Sequence, residues 1–200
     1  MEIIEVRTGI TFIFILAVAW FLLRKFAYNP FKKLLQKASR NDPEAQYQMG
    51  LLYHQGKYVA RNYPQAFTWF NTAAQNGHVR AMVALAGLYN VGQGCSKNPR
   101  QTFNWYQNAA KTGDFEARVN LAICYLLGIG TEKDETKGFK MMKAAADEKS
   151  PLACTLLGDL YARGQGTTQD QNSALSYYLQ AAKQGEPFAK KRLKELQGKK

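Results

Sequence analysis

The chain has 200 residues, 46% of them apolar, with 27 Lys and Arg against 15 Asp and Glu and three cysteines. That composition is enough for a buried core and excludes a disordered chain. The net charge of +12 sits in the flanks, with −1 over residues 1–23, +6 over 24–41, +3 over 42–185 and +4 over 186–200; no basic face interleaved with aromatics runs through the middle, which argues against nucleic-acid binding.

Residues 1–28 contain TGITFIFILAVAWFLL, sixteen uncharged residues between Arg7 and Arg24. At about 1.5 Å per residue this is close to the shortest helix that spans a bilayer. Snorkelling of the two arginines and interfacial seating of Trp20, Phe26 and Tyr28 would lengthen it. Glu2 and Glu5 before the apolar run, and bulky Trp20 to Leu23 at its end, do not suit a cleaved signal peptide. The expectation is an N-terminal tail and an uncleaved single-pass anchor. Arg7 alone precedes the run, whereas Arg24, Lys25, Lys32, Lys33, Lys37 and Arg40 follow it. The positive-inside rule then leaves the rest of the chain in the cytoplasm, at the inner membrane if the cell is bacterial.

Residues 29–41 start afresh at Asn29-Pro30 and read as a basic juxtamembrane capping helix. Lys32, Lys33, Lys37 and Arg40 are its candidates for contact with anionic lipid head groups.

Residues 42–185 repeat with a period of 36. Ala45, Ala81, Ala117 and Ala153 align, as do Tyr53, Tyr89, Tyr125 and Tyr161, Gly56, Gly92, Gly128 and Gly164, and Ala73, Ala109, Ala145 and Ala181. The copies are 42–77, 78–113, 114–149 and 150–185. Each predicts two helices. The first presents Ala45, Met49, Gly50, Leu52 and Tyr53 and ends in a glycine loop. The second is announced by a short polar cap at Asn62, Asn98, Asp134 and Asp170. It presents Phe67, Trp69, Phe70 and then Ala73-Ala74, and stops at Gly77, Gly113 or Gly185. Copy three puts Met141 and Met142 for the aromatics and Lys149 for the last glycine, so a looser second helix is expected there. Residues 186–200 continue the register, Ala189, Leu193 and Leu196 following Ala153, Leu157 and Leu160. They read as a basic C-terminal capping helix whose lysines face water.

The pattern A-x3-[ML]-[GA]-x2-Y-x2-G, followed by [ND] and an aromatic pair before A-A, resembles the Sel1-like repeat family, relatives of tetratricopeptide repeats. The resemblance covers residues 42–185. It implies an all-α fold, an α-solenoid of stacked antiparallel helix pairs winding into a right-handed superhelix. Half-repeat caps would close its ends.

Little in the chain carries chemistry. No nucleophile elbow, metalloprotease or P-loop motif is present, and Gly92-Gln93-Gly94 recurs as Gly128-Ile129-Gly130 and Gly164-Gln165-Gly166, which makes it repeat punctuation. Cys95, Cys124 and Cys154 are odd in number and irregularly spaced, with no CxxC and only two histidines for company. A zinc site is not expected, and Cys124 reads as a small core residue. Cysteine-rich Sel1-like families linked to β-lactam binding or hydrolysis carry paired cysteines that are missing here, so that carry-over fails. No catalytic residue, cofactor, metal or small-molecule substrate is expected.

Repeat stacks bind through the surface that their first helices line. One stripe of those helices changes identity from copy to copy while its neighbours do not: Tyr47, Leu51 and His54; Val83, Gly87 and Asn90; Val119, Ile123 and Leu126; Thr155, Asp159 and Ala162. At about 100° per residue these point away from Ala45, Met49 and Leu52. The expected function is a membrane-anchored scaffold that binds a protein or peptide in this groove. The alternative is an envelope assembly factor with the anchor inserted the other way, serving secretion, pilus or polysaccharide machinery.

Overall fold

The repeat predicts two helices per copy, and the computed structural model, which describes residues 30–197, contains ten helices and no strand in that range. Helix α1 is Pro30–Ala38. Four pairs follow: α2 (Pro43–Gln55) with α3 (Tyr63–Gln75), α4 (Val79–Val91) with α5 (Pro99–Ala110), α6 (Phe115–Leu127) with α7 (Glu135–Asp147), and α8 (Pro151–Arg163) with α9 (Gln171–Lys183). Helix α10, Pro187–Gln197, ends the described range. Each helix packs on its neighbours in sequence, so the stack is built from local contacts. None of the described helices is long and apolar enough to cross a membrane. The anchor expected within residues 1–28 lies outside the described residues.

Local chemistry sets the helix ends. Asn62, Asn98, Asp134 and Asp170 accept hydrogen bonds from the backbone N–H groups of Gln65, Gln101, Lys137 and Ser173. A second capping register went unread in the sequence. Asp42, His78, Asp114 and Ser150, also 36 apart, cap the first helices through Ala45, Ala81, Ala117 and Ala153. Histidine is an uncommon cap, and here its Nδ1 accepts while its Nε2 lies 2.9 Å from Glu44 Oε2.

The joint after each second helix lies in the left-handed region at Asn41, Gly77, Gly113, Lys149 and Gly185, with φ between 60° and 93°. Lys149 therefore takes the backbone of the glycines it replaces. Helix α7 has thirteen residues, like α3 and α9. Met142, 1% exposed, fills the place that Phe70 holds in the first copy.

The core is a column of alanines with larger side chains between them: Ala81, Ala117, Ala153 and Ala189 are all fully buried, as are Met49, Leu85 and Leu157. Small residues let helices approach closely, and the long ones fill what remains. An aromatic ladder runs alongside. Phe67 meets Tyr89, Phe103 meets Tyr125 and Phe139 meets Tyr161, edge to face, with centroids 5.2 to 5.4 Å apart. Phe31 of α1 meets Tyr53 in the same manner at 6.1 Å, so α1 packs as the second helix of a repeat would. Each such pair contributes about 0.5–1.5 kcal/mol beyond its buried area. The loops lock onto the preceding copy at Gly94, Gly130 and Gly166. A Cβ on Gly130 would fall 2.0 Å from the carbonyl oxygen of Pro99.

Candidate protein-binding groove

The stripe expected to line a groove divides into two regions. In the first copy its side chains are used within the chain. Tyr47 stacks on His78 (centroids 4.6 Å apart, planes at 22°) and leans on Phe70 at 5.7 Å. Burial pushes its phenol pKa upward. His54 meets Tyr63 edge-on at 5.4 Å, and Leu51 packs on the cluster around Phe70 and Leu85. Val83 and Asn90 are half-buried, as is Gly87 between them.

In the last two copies, Val119, Leu126 and Thr155 are buried within the stack. Thr155 donates its hydroxyl hydrogen to the carbonyl of Pro151 at 2.8 Å. Ile123 and Asp159 remain half-buried and face open clefts. A cleft of about 200 Å³ lies between α6 and α8, lined by Ile123, Leu126, Leu127, Leu156, Asp159 and Arg163. Another, of about 390 Å³, lies between α8 and α10, lined by Leu152, Thr155, Leu156, Asp159, Phe188 and Lys191. Leu156 and Asp159 form the ridge that both share. Around the clefts, Leu127 is 60% exposed, Leu152 47% and Phe188 67%.

Those three exposed residues, with Leu156, Arg163 and Lys191, were missed in the sequence. The signal was present. Position 44 recurs as Arg80, Glu116, Leu152 and Phe188, so Glu, Arg and Glu give way to Leu and Phe at the C-terminal end. A solvent-facing register that turns apolar marks a surface with something to cover.

The electrostatics of the clefts are set by one network. Asp159 accepts from Tyr178 Oη–H at 2.6 Å, from Arg192 Nε–H at 2.9 Å and from Arg192 Nη2–H at 3.2 Å. Arg192 also donates to Glu195 at 3.0 Å. Burial, followed by donation to Asp159, pushes the Tyr178 phenol up. The hydrogen bonds to Asp159 and Glu195 push Arg192 further above its ordinary value. This network ties α10 to α8 and gives the Asp159 carboxylate three hydrogen-bond donors.

Burial pushes Cys124 up to about 11 and raises Cys95 and Cys154, so these thiols stay protonated at neutral pH. No group of three or more His, Cys, Asp or Glu among the described residues could hold a metal ion. Lys32, Lys33 and Lys37 lie exposed on α1, and Arg40 is exposed just after it.

A Sel1 repeat model matches residues 43–78, 79–114, 115–150 and 151–186. Two solved structures are similar over most of the chain. One is a protective antigen of uropathogenic Escherichia coli with an SLR fold, 32% identical over 82% of this chain, with a TM-score of 0.75. The other is a Sel1 repeat protein from Oxalobacter formigenes, 29% identical over 76% of this chain, with a TM-score of 0.71. The alignments span 35% of the first protein and 63% of the second. No curated protein matches the chain.

Proposed function

Since the chain belongs to the Sel1 repeat family, whose solenoids serve generally as protein–protein interaction scaffolds, we propose that it is a membrane-anchored adaptor. Residues 8–23 tether it, with the repeats on the cytoplasmic side, and Lys32, Lys33, Lys37 and Arg40 rest against anionic head groups. The surface of the first helices holds a protein partner. The observation that carries this reading is the pair of clefts flanking α8, where apolar side chains stand exposed around recesses. Ile123 and Asp159 are the stripe residues in direct reach of a partner, and Leu51, His54, Val83 and Asn90 extend the same surface towards the N-terminal copies.

The test is site-specific photocrosslinking from the full-length chain in cells. A photoreactive residue at Leu156 should trap a discrete protein, while one at exposed Lys143 on α7 should not. Equal trapping from both positions, or none from Leu156, would overturn the groove. Protease treatment of sealed spheroplasts checks the tether: the repeats should be cut only after lysis. Digestion from outside would favour the envelope-assembly alternative.

A further inference from the structure

We propose that the two clefts beside α8 take an acidic apolar segment, with one apolar side chain entering each cleft and a carboxylate facing each of Arg163 and Lys191. The inference rests on the adaptor reading above and names the partner's chemistry.

Charge on the cleft walls points to it. The charged lining is Asp159, Arg163, Lys191 and Arg192, three cations against one carboxylate. Asp159 and Arg192 satisfy one another, and Glu195 takes a further Arg192 donor. Arg163 and Lys191 remain. Among the described residues, no carboxylate lies within ion-pairing distance of either. Arg163 lines the cleft on the α6 side and Lys191 the cleft on the α10 side, so one cation stands in each cleft that borders the ridge of Leu156 and Asp159.

A segment that covers Leu127, Leu152, Leu156 and Phe188 also draws water away from those cations. Carboxylates on the segment would replace that water with charge-assisted hydrogen bonds, whereas lysines there would repel. A lipid surface is the lesser fit. The clefts are recessed between helices, and a flat bilayer does not enter a space of about 200 Å³.

Phage display of random twelve-residue peptides against the full-length chain in nanodiscs of neutral lipid tests this. Enriched peptides should pair two apolar residues with flanking Asp or Glu. A synthetic copy should bind the wild type about five- to tenfold more tightly than the Arg163→Gln, Lys191→Gln double variant, because two partly exposed ion pairs are lost. The gap should close as salt rises. Leu127→Ser with Phe188→Ser, both exposed and therefore tolerated by the fold, should abolish binding. Neutral or basic enriched peptides that still need Leu127 and Phe188 would overturn the charge inference and leave the groove standing. Peptides indifferent to Leu127 and Phe188, or no enrichment at all, would overturn both. Binding of the chain's clefts to phosphatidylserine vesicles in preference to peptide, lost with Phe188→Ser, would also overturn it.

Discussion

The two halves of the groove share a backbone register and differ in how their side chains are used. In copies one and two, aromatic residues face one another: Tyr47 on His78 and Phe70, and His54 on Tyr63. In copies three and four, with α10, apolar residues, Phe188 among them, flank open clefts. One period therefore builds two surfaces, the first with aromatic side chains packed on one another and the second with apolar side chains around open clefts. The difference teaches that residues at equivalent positions do not have equivalent jobs, and five substitutions put that to work.

The largest effect should come from the joint between the halves. Gly130→Ala sets a methyl 2.0 Å from the Pro99 carbonyl oxygen at a φ of 69°. Backbone cannot yield as a side-chain tip can, so a loss of about 4 kcal/mol or more is expected. Chemical denaturation should show either a greatly lowered midpoint or two transitions, one for each half. An unchanged midpoint would mean that the halves are not coupled through this loop.

Next is a pair that separates the halves directly. Tyr47→Ala should cost about 2 kcal/mol, because it strips a half-buried ring from Phe70 and His78. Phe188→Ser should stay within about 0.5 kcal/mol, as exposed positions do. Binding should respond the other way, with Phe188→Ser abolishing the peptide signal and Tyr47→Ala preserving it in the folded fraction. Equal effects of the two on both readouts would erase the distinction.

Acid should act on both halves through different carboxylates. Hydrogen bonds from Gln48 and then from His78 hold Glu44 below its ordinary 4.5, and the hydrogen bond from Arg118 does so for Glu148. A carboxylate whose pKa is lower folded than unfolded stabilises fully above the unfolded value, and the gain disappears as pH falls through the folded value. The difference in unfolding midpoint between wild type and Glu148→Gln should therefore be present at pH 7 and shrink as the pH falls below the ordinary carboxylate value. A difference that grows in acid would reverse the assigned sign.

The smallest effect is a gain. Lys149 stands at a φ of 62° where three other copies of that joint carry glycine. Lys149→Gly relieves the left-handed strain and loosens the unfolded chain, for a net stabilisation of about 0.5 kcal/mol. Differential scanning calorimetry should register a slightly higher Tm.

Much of the architecture was legible because it rests on local rules. A 36-residue period, the caps at Asn62, Asn98, Asp134 and Asp170, and the alanine pairs each specify a helix start or a close approach within one copy. The caps at Asp42, His78, Asp114 and Ser150 obey the same rule but escaped notice, since their identities vary and histidine seldom serves there. The site was only partly legible. Helical spacing set Tyr47, Ile123 and Leu126 apart from the repeating positions, and the stripe of varying residues was visible without coordinates, but Leu126 joins the core and Tyr47 packs against it.

Which members of that stripe reach solvent is a different matter. Val119 and Ile123 lie four residues apart on one helix, yet the first is buried in the cluster that holds Met142 while the second borders an open cleft. Direction around an axis follows from periodicity within a single helix. Exposure depends on the volume of side chains arriving from neighbouring helices, 16 to 36 residues away, and that is settled only when the helices pack.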